Sequence, residues 1–75
     1  MKGKTKFSAA EADKIRELLR LKARADAAEQ KKIRGKIRQV GFYISDFTDA
    51  VDGFLSQDFD DLISRGTIVV EPAKA

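Results

Sequence analysis

Two helix-starting signatures in the first half of the chain constrain the fold more than any other feature. Ser8-Ala9-Ala10-Glu11 has the form of a capping box. In this motif the serine oxygen accepts from the backbone N–H three residues on, and the glutamate reaches back to the serine N–H. Asp26-Ala27-Ala28-Glu29 repeats the pattern. We therefore expect one helix to start after the first signature and a second helix to run from about 27 to 40.

Apolar residues follow each signature at helical spacing. They are Ile15, Leu18 and Leu19 after the first signature, and Ile33, Ile37 and Val40 after the second. The stripe holds no large apolar residue between Lys22 and Lys32, which favours a break near Ala25 and a helical hairpin. A single long helix is the alternative, because neither Gly nor Pro intervenes and the stripe stays nearly in phase at about 100° per residue.

The second half of the chain predicts two short strands separated by a third helix. Phe42 to Ser45 is aromatic and β-branched, and Thr67 to Glu71 is β-branched and stopped by Pro72. Between them, Phe59, Leu62 and Ile63 have helical spacing, with aspartates in the first turns. Because strands this short are weak alone, we expect the two to pair and to rest on the helices. The predicted fold class is α+β and helix-dominated, in the order helix, helix, strand, helix, strand.

The size of the chain limits it to one module. We expect its 75 residues to form a single small domain, 1–75, with flexible ends at 1–6 and 73–75. No stretch approaches the roughly 20 apolar residues that a membrane-spanning helix needs. The absence of Cys agrees with a reducing compartment, and we therefore expect a cytoplasmic location.

The absence of both Cys and His excludes several kinds of chemistry. A zinc finger, a disulfide framework, a thiol nucleophile and a histidine base all need one of these residues. An EF-hand calcium loop with Gly53 at its glycine position also fails, because that alignment places Thr48 and Ala50 at two ligand positions and Phe59 at the last. The sequence therefore predicts a protein that is not an enzyme and that has no metal and no cofactor.

The charges are divided unequally between the two halves of the chain. Residues 1–40 hold thirteen Lys and Arg against five Asp and Glu, a net charge of +8, whereas residues 41–75 hold two against seven, a net charge of −5. A basic surface of this kind attracts anionic partners such as nucleic acid. The same division would also let the two halves attract each other, within one molecule or between two, and charges on helices often serve solubility alone.

The predicted second helix carries the candidate binding residues. We expect five cations to contact nucleic-acid phosphates: Lys31, Lys32, Arg34, Lys36 and Arg38. A flexible arm with Lys2, Lys4 and Lys6 would add contacts. Tyr43 would stack on a base or anchor a partner if it lies on the solvent side near Arg34 or Arg38. We expect the five phenylalanines to form the core instead, because a domain of this size has few other large apolar residues.

Two functions follow from these patterns. The first is a small non-enzymatic binding module that contacts nucleic-acid phosphates through its basic helical half. The alternative is a protein-interaction or regulatory module that docks a protein, or a second copy of itself, through the acidic C-terminal half or an exposed apolar stripe.

Overall fold

The computed structural model describes residues 3–72, with the side chain of Asp52 excepted. Strand β1 spans Lys6–Ser8, helix α1 Ala9–Arg24, helix α2 Ala27–Val40, helix α3 Ser56–Ser64 and strand β2 Val69–Glu71. Two single 3₁₀ turns, Ile44–Asp46 and Val51–Gly53, connect α2 to α3. The predicted α+β, helix-dominated class is confirmed.

Helix α1 begins with the capping box that the sequence predicts. Ser8 Oγ accepts from the Glu11 N–H at 3.1 Å, and Glu11 Oε1 accepts from the Ser8 N–H at 2.9 Å. Ile15, Leu18 and Leu19 are buried, so the predicted stripe is the face of α1 that meets the core.

A break at Ala25 and Asp26 separates α1 from α2, so the first 40 residues form two helices rather than one. Both residues have extended backbone, and Asp26 Oδ1 accepts from the Glu29 N–H at 2.9 Å to cap α2. Helix α2 ends at Gly41, whose φ of 110° is the left-handed conformation that glycine adopts most readily. The hairpin prediction is confirmed, and the alternative of one long helix is wrong.

The strand predicted at Phe42 to Ser45 is not present. This segment leaves α2 through the left-handed Gly41 and then forms the first 3₁₀ turn. Phe42 is fully buried, and its ring lies against those of Phe7, Phe47, Phe54 and Phe59. Aromatic and β-branched composition indicates burial as well as strand, and here burial among the other rings decides the conformation.

Strand β2 pairs instead with β1, in parallel, with Lys6 opposite Val69 and Ser8 opposite Glu71. The predicted C-terminal strand therefore exists, beginning at Val69 rather than Thr67, but its partner is the N-terminal strand β1. Each strand has three residues, and the sheet rests against α1.

The N-terminal segment, which we expected to be a flexible end through residue 6, contacts the body of the domain from residue 3 onward. The Gly3 N–H donates to Asp46 Oδ2 at 2.9 Å, and the Lys4 N–H donates to the Gly41 carbonyl at 3.0 Å. For residues 1–2 and 73–75 the same expectation lies outside the described residues.

The core confirms the structural role predicted for the phenylalanines. Phe7, Phe42, Phe54 and Phe59 are buried, and Phe47 is half-buried and stacked on Phe42 with ring centroids 5.5 Å apart. Within residues 3–72, no helix is both long enough and apolar enough to cross a membrane.

Candidate nucleic-acid interface

The five cations predicted to contact phosphates all lie on α2, but they divide into two groups. At about 100° per residue, Lys31, Arg34 and Arg38 fall within about 60° of one another. Lys32 and Lys36 lie on the other side of the buried stripe. We refer to Lys31, Arg34 and Arg38 as the α2 cationic flank.

Two neighbouring depressions show that this flank is continuous. Lys31 and Arg34 line an open depression of about 410 Å³. Arg34 and Arg38 line the next one, which is shallow and includes Ser45. Because Arg34 lines both depressions, the three cations border one strip of surface. Lys31 and Arg38 are exposed and Arg34 is half-buried.

No acidic residue of α2 lies on the α2 cationic flank. The one acidic residue of α2 is Glu29, and it lies on the opposite side, with its Oε1 4.0 Å from Lys32 Nζ. None of the ion pairs among residues 3–72 includes Lys31 or Arg38. An anion that approaches this flank therefore meets no carboxylate of α2.

Lys36 belongs to a different surface. It lines a groove between α1 and α2 together with Asp13, Lys14 and Glu17. Two carboxylates and two ammonium groups at this groove give it mixed charge, so it is not an extension of the α2 cationic flank.

Several other cations of the first half are neutralised by the protein's own carboxylates. Arg16 Nε lies 2.7 Å from Asp60 Oδ1 and its Nη1 lies 3.1 Å from Asp13 Oδ1. Its guanidinium also covers the Phe59 ring at 5.7 Å. The attraction between the basic and acidic halves is thus realised inside one molecule, where Arg16 joins α1 to α3.

The predicted basic arm is engaged in the same way. Lys4 Nζ lies 2.8 Å from Glu11 Oε2, and Lys6 Nζ lies 3.7 Å from Glu71 Oε1. The hydrogen bond from Lys4, followed by the one from the Ser8 N–H, lowers the pKa of Glu11 from its ordinary value of 4.5. Lys2 lies outside the described residues.

Tyr43 lines neither depression of the α2 cationic flank. It is half-buried, and its Cδ1 would lie only 2.8 Å from a Cβ added to Gly3, so the N-terminal segment covers part of the ring. Ser45, which is exposed in the first 3₁₀ turn, lines the same depression as Arg34 and Arg38. The strand predicted for this segment gave no indication of that position.

Lys22 is one of the thirteen cations of residues 1–40, but its side chain is not at the surface. Its side chain is 1% exposed, and its Nζ donates to the Phe54 carbonyl at 3.4 Å. The sequence contained the signal for this, because Lys22 follows Ile15 by seven residues and Leu18 by four, and so lies in the buried stripe of α1. Its charge supports the segment before α3 rather than an external ligand.

Within the part of the chain that the structure describes, no group of three or more acidic residues is placed to hold a metal ion. Comparisons with family models, with curated proteins and with solved structures find no match to this chain.

Proposed function

We propose that the protein is a non-enzymatic binding module that contacts nucleic-acid phosphates through the α2 cationic flank. The observation that carries this proposal is the continuity of Lys31, Arg34 and Arg38 along two depressions that share Arg34. The sequence-wide excess of positive charge supports it less, because Arg16, Lys4 and Lys6 already have carboxylate partners.

The dimensions of the flank suit a polyphosphate. From Lys31 to Arg38 the helix rises about 10 Å at 1.5 Å per residue. A DNA duplex presents about six phosphates over that length, at one per 1.7 Å of axis. Arg can bind a phosphate with two parallel hydrogen bonds and Lys acts as a point charge, so contacts from Arg38 and Lys31 fix position without reading bases. We therefore expect binding with little sequence preference.

A pair of matched double variants tests the proposal. Lys31→Glu/Arg38→Glu reverses the two exposed cations of the flank, and Lys32→Glu/Lys36→Glu makes the same change in net charge on the other side of the same helix. Arg34 is left intact because it is half-buried. Binding to a labelled duplex and to a single strand would be measured by fluorescence anisotropy, and the fold would be checked by circular dichroism.

We expect the flank variant to lose binding and the control variant to keep most of it. Equal losses in the two variants would show that only net charge matters and would refute the assignment to the flank. A wild-type protein that binds neither nucleic acid at low salt would refute the function itself. A cytoplasmic location agrees with this role and stays a prediction.

The alternative function, a protein-interaction module, is supported by one observation on the apolar side. Leu21 is 50% exposed and lines the groove between α1 and α2. The acidic half supports it less, because Asp60 pairs with Arg16, Asp58 caps α3 by accepting from the Leu55 N–H, and Asp46 accepts from the Gly3 N–H.

A further inference from the structure

The groove between α1 and α2 combines an apolar floor with an exposed leucine. It has a volume of about 880 Å³, and Leu18 and Val40 contribute to its floor. Leu21 stands at this groove with half of its surface exposed, although the other leucines of α1 are buried. Its position on the helix lies about 100° away from the centre of the buried stripe of α1, so the Leu21 side chain does not point into the core.

The charges beside Leu21 follow an ordered pattern along α1. Asp13, Glu17, Arg20 and Arg24 are all exposed, and at about 100° per residue they fall within about 60° of one another. Asp13 also pairs with Arg16 of its own chain, whereas Glu17 and Arg20 are in none of the ion pairs among residues 3–72. The two acids come first and the two bases follow. Leu21 is four residues after Glu17 and three before Arg24, so it borders this charged stripe.

This order is complementary to itself when reversed. If a second α1 runs antiparallel to the first, Arg24 of one copy reaches the level of Asp13 of the other, and Arg20 reaches the level of Glu17. Twofold symmetry makes each of these pairs occur twice. In the same register Leu21 of each copy is level with residue 16 of the other, in the middle of the stretch of α1 from Ala10 to Leu21 that lines the groove.

We propose that two copies of this chain associate through the outer face of α1, antiparallel, with Leu21 of each copy seated in the groove of the other. A second copy is the occupant that the charge order favours, because one sequence supplies both the acids and the bases. The contact involves one helix face and one leucine from each copy, so it belongs to the class of small, weak interfaces. It uses none of the residues of the α2 cationic flank and does not depend on nucleic-acid binding.

Sedimentation equilibrium over a range of protein concentrations tests the association. We expect the apparent mass to rise from 8.3 kDa toward twice that value, and to rise less at high salt because the rim pairs are exposed. Leu21→Gln should weaken association without unfolding, since half of the side chain is already in water. A wild-type mass that stays at 8.3 kDa at every concentration would overturn the proposal.

A charge-exchange experiment identifies the geometry. Arg20→Asp alone and Glu17→Arg alone each place like charges opposite each other, and each should raise the dissociation constant at least about tenfold. The double variant, which has the wild-type net charge, should recover association. Lys31→Asp makes the same charge change as Arg20→Asp away from this face and should leave association unchanged. Failure of the double variant to recover, while its thermal unfolding stays cooperative, would overturn the antiparallel arrangement, as would a mass that exceeds that of a dimer.

Discussion

The salt dependence of nucleic-acid binding gives the sharpest test of the α2 cationic flank. Each phosphate contact on duplex DNA contributes about 0.9 to the slope of log K against log salt. Arg34 already has an interaction within the protein, so the two contacts counted are those of Lys31 and Arg38. They give a slope of about −1.8, and affinity should fall about 12-fold between about 50 and 200 mM salt. On a single strand, where each contact contributes about 0.7, the fall should be about 7-fold.

Arg38→Gln removes one of these contacts while keeping a side chain of similar polarity. The slope on duplex should shrink to about −0.9, and the fall over the same salt range to about 3.5-fold. Lys36→Gln removes the same unit of charge from the mixed-charge groove and should leave the slope at the wild-type value. The measurement is anisotropy of a labelled duplex at several salt concentrations. Equal slopes for the two variants would refute the reasoning, since they would mean that phosphates respond to diffuse net charge and not to the flank.

Three further predictions concern the fold that holds this flank. Gly41→Ala should lower the free energy of unfolding by about 1–2 kcal/mol, because φ is 110° there and a Cβ would meet the Lys4 side chain at 2.8 Å. Gly35→Ala, at a position in α2 with open space around it, should raise the free energy of unfolding by about 0.5–1 kcal/mol. Urea unfolding of both variants checks the contrast, and equal signs would contradict it. Phe42→Ala should lower the free energy of unfolding by about 3–5 kcal/mol, because its ring is fully buried. This is a large part of the total free energy of unfolding of roughly 4–11 kcal/mol expected for 75 residues. A loss below about 1 kcal/mol in the same assay would show that the ring cluster is not the centre of the core. Glu11→Gln should be less stable than wild type at neutral pH, because the lowered pKa of Glu11 means that the folded state favours its charged form. In thermal unfolding at decreasing pH, the difference in stability should vanish as pH falls through that lowered pKa. A difference that persists in acid would contradict this cause.

The helices could be predicted from the sequence because their signals are local. Ser8 and Asp26 cap the backbone three residues away, and Gly41 ends α2 by its own conformational freedom. Each of these effects acts within one turn of helix, so a single sequence contains all the information needed.

The sheet could not be predicted in the same way because its pairing is not local. Three-residue strands are too short for an alternating pattern, and Lys6–Ser8 shows only that Phe7 is buried between two exposed residues. Its pairing with Val69–Glu71 joins the two ends of the described chain. Phe42 to Ser45 has the better strand composition, but Phe42 is buried without a strand, in the segment that leads from Gly41 to the first 3₁₀ turn.

The candidate site was predicted as a set of residues and not as a surface. Counting charges could not separate Lys36 from Arg38, although helix geometry at about 100° per residue does so. The same geometry indicates that Lys22 lies in the buried stripe and that Leu21 does not. Positions on one helix can therefore be sorted from sequence, whereas the partners that helices bring from elsewhere, such as Asp60 beside Arg16, need the tertiary structure.

The excess of cations in the first half of the chain serves at least two separate purposes. Arg16 connects α1 to α3 through Asp60, and Lys6 connects β1 to β2 through Glu71, so part of the excess holds the two oppositely charged halves together. Exposed pairs of this kind contribute little individually, and they lower the charge that a distant anion would feel. Lys31 and Arg38 are on the side of α2 that faces away from its only carboxylate. Internal pairing therefore leaves Lys4, Lys6 and Arg16 less open to an external ligand, and an experiment on net charge alone would not separate these cations from the proposed flank.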